Sequence, residues 1–183
     1  MRKGHFKSHR PSGQGNRGRA FEEYIDFNNS LYLSNRMAVV TKLPTAMKIV
    51  GTQGKKHAAV FDKKSTVDYY GVYAGRPILF DAKSVARTSF PLNMVHAHQV
   101  DYLERVEEQG GIAFLLVELR EADTTFYLPL GMLRKYLKDA RQGGRKSIPI
   151  ADFEVYAYEV RRGRVPLDYL AVVDKLLERG QVG

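Results

Sequence analysis

The stretch Ser65-Thr-Val-Asp68-Tyr-Tyr-Gly-Val-Tyr73-Ala-Gly-Arg76-Pro-Ile-Leu-Phe-Asp81-Ala-Lys83 decides the fold. Two runs of aromatic and β-branched residues flank Ala74-Gly75, a two-residue loop of the kind that closes a β-hairpin. With those residues as the loop, Tyr73 pairs with Arg76, and counting back in register brings Asp68 opposite Asp81. Directly opposed side chains have Cβ atoms about 4.5–5.5 Å apart, and like charges at that distance repel. Such a pair destabilises the hairpin unless a cation joins it. Mg²⁺ is suited to that place, since it binds one or two carboxylates and completes its shell with water and phosphate. Lys83 lies two residues beyond Asp81 and shares its strand face. Two acids and an ammonium therefore converge on one point.

Outward from this hairpin the chain alternates helix and strand. A helix is predicted from about Gly18 to Ser34, with Phe21, Ile25, Asn28 and Tyr32 along one face. Residues 37–50 read as extended with Pro44 as an interruption, Gly51 to Gly54 as a turn, and His57 to Phe61 as a return strand. This gives a Lys-rich hairpin over about 42–64. Residues 87–91 read as a loop and His96 to about Gln109 as a helix. Ile112–Leu119 and Thr124–Leu128 read as strands, and Gly131–Arg141 as a helix. Residues 142–147 form a basic loop, 153–160 fit either element, and Pro166 opens a last helix. The fold class is α/β, a mixed sheet flanked by helices. Residues 1–17 carry almost no large apolar side chains and read as a disordered basic tail, leaving 18–183 as one domain.

Composition narrows the function. At 183 residues the chain suits one domain with a real core. It has no cysteine, which excludes disulfides, thiolate catalysis and Cys-based zinc sites. No apolar run is long enough to span a membrane, and no signal peptide is visible, so a cytoplasmic location is expected. Of the net charge of +9, residues 1–19 hold +6 and residues 42–64 hold +5. Positive charge gathered in two segments is the footprint of a polyanion binder, although a solvated tail and loop would have the same composition.

The Asp68, Asp81 and Lys83 constellation suits phosphodiester hydrolysis. A metal held by the two carboxylates, with the Ala82 backbone carbonyl as a further ligand, would polarise the phosphate and acidify bound water. Lys83 would orient or deprotonate that water, or neutralise developing charge. Glu22, beside the buried stripe of the first helix, is able to join through metal or water; an exposed first-turn carboxylate reads the same way. Gln99 has the reach to contact DNA or the water. His96-Ala-His98 suits one metal poorly, because residues i and i+2 of a helix point apart. By spacing alone, Asp81-x-Lys83 is also a surface ion pair.

The ordered series of short motifs carries more weight. Asn16-Arg-Gly18 with Phe21-Glu22, Met37 to Val40 with Lys42-Leu-Pro-Thr45, and Ser65-Thr-Val-Asp68-Tyr with Gly71 come first. Asp81-Ala-Lys83, Thr88-Ser-Phe-Pro-Leu92, His96-Ala-His-Gln99, Gly144-Arg-Lys-Ser147 and Asp168-Tyr169 follow in order. In these the chain resembles the RecU-type Holliday junction resolvases of Gram-positive bacteria and their phages, within the PD-(D/E)-x-K nuclease superfamily. The resemblance implies a restriction-endonuclease-like fold and a homodimer that nicks two opposed strands of a four-way DNA junction, leaving 3′-hydroxyl and 5′-phosphate ends. It implies Mg²⁺ as cofactor, with Mn²⁺ able to substitute. Asp68 and Asp81 become the metal carboxylates, Lys83 the catalytic lysine, Glu22 the helix-borne acid and Gln99 the motif glutamine. A projecting basic hairpin stalk corresponds to residues 42–64. DNA contacts fall to Arg17, Arg19, Lys42, Lys48, Lys55, Lys56, Lys63 and Lys64, and to Arg87, Ser89 and Phe90 of the loop. Recombination or branch-migration proteins become possible partners. The family commonly has Glu where this chain has Asp81, and its stalk is usually longer; such trimming would suit a phage-encoded relative. A less selective nuclease of the same superfamily, acting on forks, flaps or duplex, and a non-enzymatic DNA-binding architectural protein are the competing readings.

Overall fold

The computed structural model describes residues 14–44, 47–53, 56–61 and 66–181, with residues 14–17 and 47–61 described by their backbone. The deciding hairpin is β4 (Tyr69–Tyr73) and β5 (Arg76–Val85), paired antiparallel from Tyr73↔Arg76 to Tyr69↔Phe80. This is the register the sequence predicts. Ala74 and Gly75 both have positive φ, 50° and 73°, as a type I′ turn requires.

The hairpin lies inside a six-stranded sheet of order β1-β4-β5-β7-β8-β10. Strand β1 (Val39–Lys42) is an edge, antiparallel to β4. At Gly71 in β4 an added Cβ would lie 2.0 Å from the Val39 carbonyl oxygen, so the close approach of β1 requires glycine there. On the other side β5 pairs in parallel with β7 (Ile112–Leu119), and helix α2 (Ala97–Glu108) makes the crossover that parallel pairing needs. Strands β8 (Thr124–Pro129) and β10 (Tyr158–Glu159) complete the sheet in antiparallel order. The apolar run of β7 is buried along nearly its whole length, as a strand covered on both faces should be.

Alternation along β5 divides the core. Ile78, Phe80 and Ala82 face helices α1 (Gln14–Ser34) and α5 (Tyr169–Glu178), through Phe21, Ile25, Tyr32, Leu170 and Val173. Leu79 and Val85 face α2, α3 (Leu130–Arg141) and α4 (Ile150–Tyr156), through Val100, Leu103, Leu133 and Phe153. Each such side chain, fully buried, contributes about 1.5–3 kcal/mol. Polar contacts fix α1 against the start of α5. The Asn28 side chain accepts from the Leu167 N–H at 2.8 Å, and the Tyr32 hydroxyl donates to Asp168 at 2.9 Å.

Several expectations shift. Helix α1 begins at Gln14, so residues 14–17 belong to it; residues 1–13 of the expected tail lie outside the described residues. The Lys-rich segment contains β2 (Met47–Gln53) and β3 (Lys56–Phe61), paired with each other as a two-stranded sheet. Gly51 is part of β2, after a register shift between Ile49 and Gly51, and not the start of the turn; glycine suits a bulge. The loop at 87–91 contains a short strand β6 (Ser89–Pro91) pairing with β9 (Ser147–Pro149). The last helix starts at Tyr169 rather than Pro166, because Asp168 caps it by accepting from the Ala171 N–H. Among the described residues no helix is long and apolar enough to cross a membrane.

Candidate active site

The carboxylate that the register places opposite Asp81 belongs to Asp68, just ahead of β4. Its backbone oxygen accepts from the Leu43 N–H at 2.8 Å, anchoring it to the residue that follows β1. Its side-chain Oδ2 accepts from the Ala82 N–H at 2.9 Å. The two acids therefore meet at the point where β4 runs out and β5 continues. In a ladder the N–H and C=O of one residue face the same neighbour, so the Ala82 carbonyl leaves β5 on the Asp68 side.

Asp81 is completely buried. Its Oδ1 accepts from Gln99 Nε2 at 2.8 Å. Its Oδ2 makes a close ion contact with the Lys83 ammonium, yet accepts no hydrogen bond of ordinary geometry. Burial pushes the Asp81 carboxyl above the usual carboxylate range; Lys83 opposes that shift and Asp68 adds to it. Gln99 is itself buried. Its Oε1 accepts the His96 N–H at 3.2 Å, at the first turn of α2. With that oxygen engaged at the helix N-terminus, the amide NH₂ is left to face Asp81. The His96 and His98 rings stack with centroids 5.6 Å apart.

Glu22 sits on α1, the helix packed on the opposite side of the sheet. Its Oε2 is 2.5 Å from Nζ of Lys42, the last residue of β1. The Tyr69 hydroxyl donates to the Glu22 backbone oxygen at 3.1 Å. Burial holds that hydroxyl protonated well beyond the ordinary tyrosine range, reinforced by Asp26, Glu22 and Asp68. Asp26 lies one helical turn beyond Glu22 and was not singled out in the sequence; its i+4 spacing was the available signal. Lys42 thus links the α1 acids to the Asp68 side of the site.

The donor set fits a hard divalent cation. Asp81 Oδ2 is a buried carboxylate oxygen lacking a hydrogen bond, and Asp68 and the Ala82 carbonyl add oxygen ligands beside it, the chemistry Mg²⁺ takes. Among the described residues no three acids or histidines gather into a cage, and Glu22 is bonded to Lys42.

The expected DNA contacts divide. Phe90 is fully buried and packs against Phe153 with ring centroids 6.3 Å apart, so it serves the core and cannot meet DNA. Ser89 is half-buried in β6, and Arg87 is exposed. Arg19 is exposed and paired with Glu23 at 2.9 Å. Arg17, Lys48 and Lys56 lie in elements described by backbone alone; Lys55, Lys63 and Lys64 lie outside the described residues. One further polar group escaped the sequence. The Ser84 hydroxyl donates to Glu118 at 2.5 Å and accepts from Arg120 at 3.3 Å. Its members come from β5, the end of β7 and the short turn after it, brought together by the parallel pairing of β5 with β7.

Residues 16–175 match the family described as recombination protein U, RecU. A Holliday junction resolvase RecU of Pediococcus pentosaceus is 39% identical over 176 residues, covering 92% of this chain and 88% of the relative. Another of a Geobacillus strain is 37% identical over 180 residues, covering 93% and 90%. Among solved structures, the Holliday junction resolvase Hjc of Archaeoglobus fulgidus aligns over 78% of this chain and 95% of that one, with TM-score 0.48 and 13% identity.

Proposed function

The chain belongs to the RecU family of recombination proteins, and from that premise we propose that it is a divalent-metal-dependent endonuclease that resolves four-way DNA junctions by paired nicks. The buried Asp81 carboxylate carries this reading. It is held by Gln99 and Lys83, faces Asp68, and keeps one oxygen without a hydrogen bond. Burying that charge costs several kcal/mol in desolvation, which Lys83 offsets only in part, since the carboxyl remains above its ordinary range. A cation bound there relieves that cost.

Asp68, Asp81 and the Ala82 carbonyl would hold the metal. When bound, Mg²⁺ or Mn²⁺ supplies polarisation of the scissile phosphate and acidification of its water. The residues do the rest. Gln99 fixes the Asp81 carboxylate through Oδ1, so that Oδ2, beside Lys83, would be the oxygen available to a metal. Lys83, largely buried, keeps its ammonium against the same carboxylate, where it neutralises negative charge building on the phosphate or orients the attacking water. The lysines of residues 42–64, with Arg17, Arg19 and Arg87, supply sequence-independent contacts to phosphates. A two-fold homodimer would present two such sites to the two opposed strands of a junction, leaving 3′-hydroxyl and 5′-phosphate ends.

The test separates cutting from binding. Asp68→Asn and Lys83→Ala are expected to lower cleavage of a labelled four-way junction by at least about a thousandfold, with junction affinity within about threefold of wild type. If either variant cut at the wild-type rate, the site assignment would be wrong.

A further inference from the structure

Lys42 has an unusual position for a lysine at a sheet edge. Its ammonium is 2.5 Å from the Glu22 carboxylate. Its Cα pairs with Tyr69, immediately after Asp68, and Asp68 is bonded through its backbone to Leu43, immediately after Lys42. Glu22 is half-buried, with its side chain 30% exposed. Asp26, one turn along α1, lies on the same side. Lys42 therefore puts one positive charge against Glu22 on the α1 side of the sheet, on a strand whose backbone is joined to that of Asp68.

We propose that Lys42 is a resident cation that occupies Glu22 and holds down the site's affinity for its divalent metal until the phosphate backbone of DNA draws the lysine away. This rests on the reading of Asp68 and Asp81 as metal carboxylates. Two features support it beyond the ion pair. The Lys42 ammonium is held above its ordinary pKa by its hydrogen bond to Glu22, against partial desolvation, with Asp26 and Asp68 adding to the shift. The partner in that bond is the Glu22 carboxylate, which is thereby withheld from any metal. Lys42 is also the last residue of β1, and β2 of the Lys-rich hairpin begins five residues later at Met47. That places Lys42 at the root of the segment proposed to engage the DNA backbone. Each backbone phosphodiester carries one negative charge, and the row of them along DNA forms a polyanion that attracts a lysine more strongly than one carboxylate does. Once Lys42 turns to that polyanion, Glu22 becomes free to support the metal directly or through water, and metal loading follows substrate binding.

Mn²⁺ binding to the DNA-free full-length chain tests this without any turnover, with free Mn²⁺ quantified by electron paramagnetic resonance. Lys42→Met is expected to bind Mn²⁺ about tenfold more tightly than wild type, since it frees the Glu22 carboxylate as a further anionic oxygen ligand. Lys175→Met, which removes an exposed lysine of α5, is expected to stay within about twofold and controls for net charge. In a Glu22→Gln background the gain from Lys42→Met should largely vanish. An equal affinity for Lys42→Met and wild type overturns the proposal, as does a gain of full size in the Glu22→Gln background. Lys42→Gln serves as the second variant if Lys42→Met folds poorly. Asp81→Asn separates the two levels. If it leaves wild-type Mn²⁺ affinity unchanged, the metal site itself is misassigned and the proposal falls with it.

Discussion

Asp81 shows how one residue trades stability for chemistry. Its carboxylate is fully buried, with one oxygen bonded to Gln99 and the other lacking a hydrogen bond beside Lys83. Because burial raises its folded pKa above the unfolded value, the neutral acid is favoured at low pH. The stability Asp81 contributes is present below about pH 4 and is lost as pH rises through the folded value, where the buried group must ionise. In metal-free protein, Asp81→Asn is therefore expected to be more stable than wild type at pH 8 by on the order of 1–2 kcal/mol. That difference should shrink toward pH 4, measured by chemical denaturation in chelator. A wild-type protein more stable than Asp81→Asn at pH 8 would mean Lys83 and Gln99 fully compensate the charge. This residue was legible in the sequence because a two-residue hairpin loop fixes register locally. The Gln99 orientation was not, since it depends on an amide being shared between a helix N-terminus and a strand. The burial of Phe90 was missed because its pairing partner lies far along the chain in Ile148.

At the scale of elements, short-range chemistry explains what could be read. The β4–β5 turn is type I′ with Ala74 at φ 50°, where an L-residue with a Cβ is strained and asparagine is preferred. Ala74→Asn is expected to raise stability by about 0.5–1 kcal/mol without altering metal binding; a loss of stability would contradict the turn type. The junction between α1 and α5 is fixed by Asp168. Burial alone would raise this carboxyl, but bonds from Arg164 and Tyr32 outweigh it and hold it below its ordinary value. Its contribution is therefore complete above about pH 4 and disappears as pH falls through the lowered value. Asp168→Asn should cost about 2–3 kcal/mol at pH 7, and the gap to wild type should close below pH 4 in urea titrations. An unchanged gap at pH 3 would remove the charge from the explanation. Long periodic elements such as α1, α2 and β7 were visible from apolar spacing. Strands β6, β9 and β10, of two or three residues, were invisible because so few positions carry no period. Pro166 misled, since a favourable first-turn residue gave way to the Asp168 cap.

For the whole molecule, charge and site divide the labour. The +6 of residues 1–19 and the +5 of residues 42–64 are set against a remainder near −2. The site itself is acidic and sits where β1, β4 and β5 meet α1 and α2. On the proposed reading the basic segments would supply affinity for phosphates that a carboxylate-lined site would otherwise repel, and a bound metal would make the two compatible. Fold class and the central pair of acids followed from local sequence. The Glu22–Lys42 pair did not, because α1 and β1 meet only through tertiary packing. The most direct measurement is strand-resolved cleavage of a labelled four-way junction, beside a fork and a linear duplex of the same sequence, with and without Mg²⁺. The account predicts nicks on two opposed junction strands at equal distances from the branch point, dependent on Mg²⁺ and absent in Asp81→Asn, with little cutting of duplex. Cleavage that persists in chelator, or that proceeds equally on linear duplex, would contradict it.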